Sequence, residues 1–289
     1  MDRDALVAYV VGWYAAEARD LPWRRAGVSP WGVMVSEFML QQTPVSRVVG
    51  PWREWLDRWP TPASLADAEP GDAVRAWGRL GYPRRALRLH RAAGAIVRDH
   101  AGEVPADPAA LRELPGVGEY TAAAIAAFAY GRRVVVLDTN VRRVLARVEG
   151  GQAVVPATLT TAERDRAAAW LPVEPAAAAR WSVAVMELGA VVCTAAGPAC
   201  GSCPVAADCH WLAAGRPAPA RPGRVQGYAG TDRQARGVLL DLLRRTPAAV
   251  DRQVLIGAWP VDPGQAERAL DSLVADQLVR EVSPGGYAL

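Results

Sequence analysis

The Leu-Pro-Gly-Val-Gly string at residues 114–118 constrains the fold of this chain more than any other feature. Asp107-Pro108 has the residue types of a helix N-cap and first helical position, and Pro115 ends that short helix. Residues 119–130 then have helical character up to Gly131. The segment is therefore predicted to form two helices joined by a tight hairpin.

This hairpin has the composition of an anion site made of backbone. Gly116 and Gly118 permit backbone angles and close approaches that a Cβ would prevent. The N–H groups that open the second helix point outward at its positive end, where they favour an anion. An ordinary helix-helix connection is the alternative for a short glycine-rich turn. With helices on both sides, the full string favours a phosphate site formed by Gly116, Val117 and Gly118.

The cysteine spacing predicts one inorganic centre. All four cysteines of the chain are spaced C-x6-C-x2-C-x5-C, at Cys193, Cys200, Cys203 and Cys209. Two disulfides are one alternative, but no signal peptide precedes the charged start at residues 1–4, so we expect no oxidising compartment. Zinc is the other alternative. Structural zinc sites usually have two C-x-x-C pairs, whereas this chain has one pair with a single cysteine on either side.

A third signal lies in an apolar helical segment opened by Pro30. Its apolar residues recur at helical spacing, as Trp31, Met34, Val35, Phe38 and Met39. Glu37 lies among them, so we expect its carboxyl group to be desolvated and its pKa raised. A proton would then be available near neutral pH, as a general acid requires. The alternative is a glutamate on the helix edge that faces water.

Asp138 precedes Thr139-Asn140, which makes it a natural N-cap for the next helix. A capped carboxylate is held rigid and, we expect, ionised. If Asp138 stays negative while Glu37 stays protonated, the two form an acid and stabiliser pair.

Together these segments resemble the DNA glycosylase superfamily that contains endonuclease III and, within it, the adenine DNA glycosylase (MutY) family. The resemblance covers about residues 7–212, and its motifs are the hairpin, Leu21–Arg24, Ser36–Thr43, Leu80–Tyr82, Asp138–Val141 and Glu187–Ala190. It implies an all-α fold, that of a two-lobed helix-hairpin-helix DNA glycosylase with an iron-sulfur cluster loop. The cysteine spacing is similar to that loop, so the resemblance implies a 4Fe-4S cluster as cofactor, with zinc as the alternative.

The resemblance also implies a reaction. Glu37 would protonate adenine at N7, and Asp138 would stabilise the positively charged sugar or trap it covalently. Tyr120 and Asn140 would help to place the sugar and Asp138. The adenine must first leave the duplex, because neither acid could reach it inside the base stack.

Further roles in substrate binding follow from the same resemblance. Arg24 and Glu187 would contact the extruded adenine, while Gln42 and Tyr82 would act as wedges in the base stack. For Tyr82 the alternative is an aromatic residue at a helix end in the core.

Relatives that also cut the DNA strand carry a lysine at the position of Tyr120. This chain has no lysine, and all 33 of its basic side chains are arginine. A guanidinium cannot lose its proton to attack the sugar, so we expect base removal without lyase activity. The predicted substrate is double-stranded DNA with an A:8-oxoguanine or A:G mispair. A thymine or uracil mismatch glycosylase and a non-catalytic iron-sulfur DNA-binding protein are the alternatives.

The charge of the chain is compatible with DNA binding but not specific for it. The net charge is +3 and the isoelectric point about 8.8. Arginines cluster after Tyr82 and after Asp138, and either DNA contact or a solvated helix face explains such clusters. They are Arg84, Arg85, Arg88, Arg91, Arg142 and Arg143. No apolar run reaches the length of a membrane span, and we expect a cytoplasmic, nucleoid-associated monomer.

The chain is predicted to divide into four parts. Residues 1–28 with 136–212 form a cluster-bearing helical domain, and residues 29–135 form a six-helix barrel domain that contains the hairpin. The Pro, Gly, Ala and Arg stretch at 213–231 is typical of a linker. Residues 232–289 predict three helices and a strand hairpin, a winged-helix-like module. They are too few for the larger Nudix-like domain of better-known family members, which senses 8-oxoguanine.

Overall fold

The structure is a computed structural model that describes residues 2–218 and 227–289. The α-helices of this part of the chain are α1 (Arg3–Glu17), α2 (Pro30–Leu40), α3 (Val49–Arg58), α4 (Pro62–Ala66), α5 (Pro70–Ala76), α6 (Arg84–Asp99), α7 (Pro108–Glu113), α8 (Glu119–Tyr130), α9 (Thr139–Val148), α10 (Thr161–Ala169), α11 (Pro175–Val191), α12 (His210–Ala213), α13 (Asp232–Arg245), α14 (Arg252–Gly257) and α15 (Pro263–Ala275). The strands are β1 (Val250–Asp251), β2 (Arg280–Ser283) and β3 (Gly286–Ala288). None of the helices in the described ranges is long and apolar enough to span a membrane.

The chain packs as two compact units. One comprises Met1–Val33, Ala106–Arg112 and Val117–Gly223, and the other comprises Met34–Pro105, Glu113–Gly116 and Arg224–Leu289. The four-part division predicted from the sequence remains a proposal, and residues 219–226 of the predicted linker lie outside the described residues.

In the first unit, α11 lies at the centre, with α1 and α9 packed against it. Its core contains Trp170 and Trp181, whose rings stack with centroids 5.7 Å apart. A Cβ on Gly189 of α11 would lie 2.7 Å from the Cβ of Asn140. Glycine at this position therefore lets α11 approach the start of α9, where the capped Asp138 lies.

In the second unit, α4 and α5 pack against α6. Trp55 lies in this core and makes edge-on contacts with Trp59 at 4.7 Å and with Trp77 at 5.5 Å. Edge-on pairs such as these tryptophans add to the free energy gained from burial alone. A capping box between Thr61 and Ser64 begins α4.

The C-terminal part of the second unit has the element order of a winged helix: α13, β1, α14, α15, β2, β3. Its antiparallel sheet has the strand order β1-β3-β2, and Val250 of β1 pairs with Tyr287 of β3. The winged-helix-like prediction is confirmed, although β1 was not predicted. This module is fixed to α5 and α6, since Asp276 forms an ion pair with Arg84 and the Arg244 Nε donates to the Val74 carbonyl at 3.2 Å.

Candidate active site and cysteine centre

Asp138 is the N-cap of α9, as predicted. The Val141 N–H donates to its Oδ1 at 2.7 Å, and the Asn140 Nδ2 donates to its Oδ2 at 2.6 Å. Burial raises the pKa of Asp138 above its ordinary value, although both hydrogen bonds oppose that change. The predicted cap is confirmed, but the direction of the pKa shift is opposite to the one that capping alone predicts. The hydroxyl of the half-buried Tyr120 donates to Met186 Sδ at 3.6 Å.

Arg143 connects the Asp138 cap to the cysteine loop. Its Nη2 donates to Asn140 Oδ1 and to the Gly189 carbonyl, each at 2.7 Å, and its Nε donates to the Cys193 carbonyl at 2.7 Å. The amide of Asn140 is thereby fixed with its NH2 group toward Asp138. Asn140 thus has the position that the resemblance implies, and Arg143 is a further residue of the site.

Glu187 is fully buried on α11 and is held by two arginines. The Arg19 guanidinium donates to its two oxygens at 2.6 and 2.7 Å, and Arg24 forms an ion pair with it at 2.9 Å. Burial disfavours the carboxylate, but the hydrogen bonds from Arg19 and the charge of Arg24 outweigh it and lower the pKa of Glu187 to about 2. The predicted Arg24 and Glu187 are therefore in contact, and Arg19 is a partner that the sequence did not indicate.

Glu37 lies on α2 with 5% of its surface exposed. Its sequence neighbours Ser36 and Phe38 are fully buried. The prediction that this carboxyl group is buried is therefore confirmed, and the alternative of a glutamate facing water is wrong.

The hairpin between α7 and α8 has the predicted form, and its two glycines have different roles. Gly116 has φ +84°, and a Cβ there would lie 2.8 Å from the Cβ of Arg88 and 2.9 Å from Cε1 of Phe38. Gly118 has φ −91°, which any residue adopts, and a Cβ there would meet nothing within 4 Å. The side chain of Val117 is buried. Gly116 therefore allows packing, while Gly118 leaves an open approach to the start of α8.

Gln42 and Tyr82 lie on exposed turns, and both have a left-handed backbone, with φ +57° and +47°. The Tyr82 side chain is 53% exposed, so the alternative of a core aromatic is wrong. Only a few per cent of residues with a side chain adopt this backbone region. Two exposed side chains are thus presented by two strained turns.

The four cysteines are free thiols that line one cavity. The rest of the lining is mostly aliphatic and includes Val144, Leu188 and Val205. Burial raises the pKa of Cys203 to about 11, and the charges of the other three cysteines add to this effect. Among the residues described, no group of three or more His, Cys, Asp or Glu side chains is arranged to hold a metal ion.

The arginine clusters are mixed: some members bind groups within the protein, while Arg84, Arg88 and Arg91 are exposed on α6. Arg85 is buried, and Arg84 pairs with Asp276. Arg142 pairs with Glu163 at 2.8 Å, and Arg143 holds the Asp138 cap through Asn140. The α6 cluster thus includes the solvated helix face that one alternative predicted, and the other alternative, contact with DNA, stays a prediction.

Comparison with known proteins identifies the family. The model of the HhH-GPD superfamily base excision DNA repair proteins matches residues 35–168. Over 280 residues the chain is 52% identical to the adenine DNA glycosylase of Mycolicibacterium smegmatis, which covers 97% of this chain and 94% of that protein. The chain belongs to the adenine DNA glycosylase family.

The chain is also similar to other DNA glycosylases and to proteins of the same fold. The human adenine DNA glycosylase is 41% identical over 209 residues, which are 70% of this chain and 38% of the human protein. A thymine/uracil-DNA glycosylase of Pyrobaculum aerophilum is 37% identical over 207 residues, 71% of this chain and 88% of that protein. The solved structure of a thermostable thymine-DNA glycosylase has a TM-score of 0.65 at 23% identity, covering 73% of this chain and 97% of its own. An endonuclease III structure has a TM-score of 0.61 at 20% identity, and the match covers 75% of this chain and 100% of that structure's chain. The two solved structures confirm the helix-hairpin-helix glycosylase fold.

Proposed function

We propose that this protein is a monofunctional DNA glycosylase that hydrolyses the N-glycosidic bond of adenine mispaired with 8-oxoguanine or guanine in duplex DNA. The observation that carries the proposal is the 52% identity, along 97% of the chain, to a protein named adenine DNA glycosylase. The buried Glu37 and the capped Asp138 support the chemistry.

The proposed reaction divides its work between these two acids. When the C1′–N9 bond breaks, its electron pair goes to adenine, which leaves poorly unless its ring accepts a proton. Glu37 donates that proton to N7, because a carboxyl group in apolar surroundings holds its proton more readily than one in water. Asp138 stabilises the positive charge that develops on the sugar. Water then adds to C1′, loses a proton, and leaves an abasic site.

The surrounding residues bind and position the substrate in this proposal. The N–H groups of Gly116, Val117 and Gly118 bind a phosphate, which the open approach at Gly118 supports. Arg24 and Glu187 contact the extruded adenine, and Gln42 and Tyr82 enter the base stack that it leaves.

The absence of strand cutting is proposed on chemical grounds. Tyr120 stands where a lyase would carry its amine, and the chain has no lysine. A phenol cannot form a Schiff base with the sugar, and neither can a guanidinium. Strand cutting at abasic sites without alkali, above the rate with DNA alone, would contradict this part of the proposal.

We also propose that Cys193, Cys200, Cys203 and Cys209 hold a 4Fe-4S cluster. The donor set fits, because four free thiols line one mostly aliphatic cavity. The spacing has one C-x-x-C pair, whereas structural zinc sites usually have two. The bound cluster would supply a fixed scaffold for the loop, whose Cys193 carbonyl accepts from Arg143. Iron and sulfide analysis with an absorption band at about 400 nm tests this assignment. A colourless preparation loaded with zinc would overturn it.

One set of incubations tests the glycosylase proposal. The protein is mixed with duplexes that contain A:8-oxoguanine, A:G, T:G or U:G, and abasic sites are then cleaved with hot alkali. Release of adenine is expected, and its absence from both A-containing duplexes would refute the proposal. Release of thymine or uracil alone would favour the activity of the Pyrobaculum relative, which is 37% identical.

A variant pair tests the role of Glu37. Glu37→Gln keeps the shape of the side chain but removes the acid, so single-turnover excision should be lost while duplex affinity is retained. The control is Glu54→Gln, an exposed glutamate of α3 in the same unit, which should excise like the unmodified protein. An active Glu37→Gln variant would contradict the assignment.

A further inference from the structure

Arg85 lies between the two turns that carry Gln42 and Tyr82. Its Nη1 donates to the carbonyls of Phe38 and Met39, at 2.8 and 2.9 Å, in the last turn of α2. Its Nη2 donates to the Gly81 carbonyl, immediately before Tyr82, at 2.9 Å. One guanidinium therefore holds the end of the helix that precedes Gln42 and the turn that presents Tyr82.

A hydroxyl group completes this connection. The Arg85 Nη2 also donates to Thr43 Oγ1 at 2.8 Å, and that hydroxyl donates to the Leu80 carbonyl at 3.0 Å. Thr43 follows Gln42, and Leu80 lies two residues before Tyr82. The side chains of Arg85 and Thr43 thus connect the two turns through hydrogen bonds.

The environment of Arg85 indicates a role beyond ordinary packing. The side chain is only 4% exposed, and no carboxylate in the described part of the chain forms an ion pair with it. Its charge is balanced by carbonyl oxygens and by the rings of Trp77 at 5.1 Å and Tyr82 at 5.6 Å. Burial lowers the pKa of Arg85 to about 10. Burial of a cation is unfavourable in free energy. Here the cation forms hydrogen bonds that fix the backbone of the two turns.

The backbone it fixes is strained. Gln42 and Tyr82 both have positive φ, a conformation that persists only when the surroundings impose it. The Gln42 side chain is exposed, so its own packing does not impose this conformation, and the half-exposed Tyr82 ring packs on the Arg85 guanidinium at 5.6 Å. Arg85 binds the Gly81 carbonyl, directly before Tyr82, and two carbonyls of the last turn of α2, from which the chain enters the Gln42 turn.

We infer that Arg85 is a positioning residue that holds the Gln42 and Tyr82 turns in the one arrangement from which both side chains enter the base stack. The inference rests on the wedge role given to these residues in the proposed function. Arg85 does not touch the reacting atoms in this scheme; it acts through the two turns.

The test measures base unstacking separately from chemistry. In Glu37→Gln protein, which binds DNA without excising, 2-aminopurine beside the target adenine should brighten when a wedge separates the bases. Arg85→Met in the same background should lose most of this increase at saturating protein. In protein that retains Glu37, Arg85→Met should slow single-turnover excision by about tenfold or more. This factor corresponds to the free energy that one strained residue stores.

Three further variants separate positioning from general damage. Arg85→Lys keeps the charge but not the planar fork, so it should restore excision only partly. The matched control is Arg244→Met, which removes another arginine whose pKa burial lowers to about 10 and which also donates to a carbonyl. It should leave the 2-aminopurine signal unchanged. Combined with Tyr82→Ala, Arg85→Met should slow excision little further, since both changes remove the same step.

The outcomes distinguish this inference from the proposed function. If the unmodified protein releases no adenine from any duplex, the proposed function fails. If it does, but Arg85→Met brightens 2-aminopurine normally, or its effect multiplies fully with that of Tyr82→Ala, the inference fails alone. Should Arg85→Met not fold, Thr43→Val removes the bridging hydroxyl by a milder change. That variant must weaken the fluorescence increase in the same direction for the inference to stand.

Discussion

Substitution of each hairpin glycine by alanine should give opposite phenotypes, although the two positions are only two residues apart. At Gly116 the added Cβ must adopt φ +84°, which costs about 1–2 kcal/mol for a residue other than glycine. It must also displace the stem of Arg88 and the ring of Phe38, which stand 2.8 and 2.9 Å away. Overpacking of this kind costs about 1–3 kcal/mol, so Gly116→Ala should destabilise the protein by about 2–5 kcal/mol.

Thermal unfolding measures this loss directly. For a protein of this size, the expected fall in Tm is about 5–20 °C. Gly118→Ala is the matched control, because its φ of −91° suits alanine and no atom lies within 4 Å of the new Cβ. Its Tm should be unchanged, while its affinity for duplex DNA of any sequence should fall by about tenfold, since the methyl group blocks the approach of a phosphate. If Gly116→Ala has the same Tm as the unmodified protein, or if Gly118→Ala has the lower Tm of the two variants, the division of roles is wrong.

Three more predictions follow from the charged residues. The pKa of Glu187 is lowered from 4.5 to about 2, so its ion pairs contribute roughly 3 kcal/mol that is present above pH 4.5 and lost as the pH falls toward 2; Glu187→Gln should remove this dependence from acid melts. Burial raises the pKa of Asp138, so its carboxyl group favours folding at low pH and opposes it as the pH rises through that pKa. Asp138→Asn, which keeps a good N-cap, should therefore raise Tm at pH 7 yet abolish excision, and a lower Tm would contradict this. Arg143→Met should slow excision at least tenfold with little change in duplex affinity, because it frees the Asn140 amide that holds Asp138; a normal rate would show that this contact is dispensable.

The parts of this fold that the sequence predicts are those whose causes are local. The helices α7 and α8 were predicted at their ends because Pro108, Gly116 and Gly131 act through their own backbone angles. The Asp138 cap was predicted for the same reason, since its partner is only three residues away. For Glu37 the apolar spacing left burial and a water-facing position both open, and the resemblance of Ser36–Thr43 favoured burial.

The parts that the sequence did not predict depend on residues far apart in the chain. Arg19 and Glu187 are 168 positions apart, and no local pattern connects them. The strand β1 is two residues long and exists because Tyr287 pairs with Val250. The sequence did not separate the buried Arg85 from its exposed neighbours, because a cation that binds buried carbonyls has the same sequence appearance as one that faces solvent. Contacts of this kind become visible only when the chain is folded.

The helix α6 serves three neighbours with residues that lie within five positions of each other. Arg84 pairs with Asp276 of the C-terminal module, and Arg85 binds the turns that carry Gln42 and Tyr82. The stem of Arg88 packs beside Gly116 of the hairpin. A helix advances by about 100° per residue, so insertion or deletion of one residue inside α6, between Arg85 and Arg88, would turn the hairpin contact away from the other two. Such a change would therefore cost either the packing at Gly116 or both of the other contacts at once.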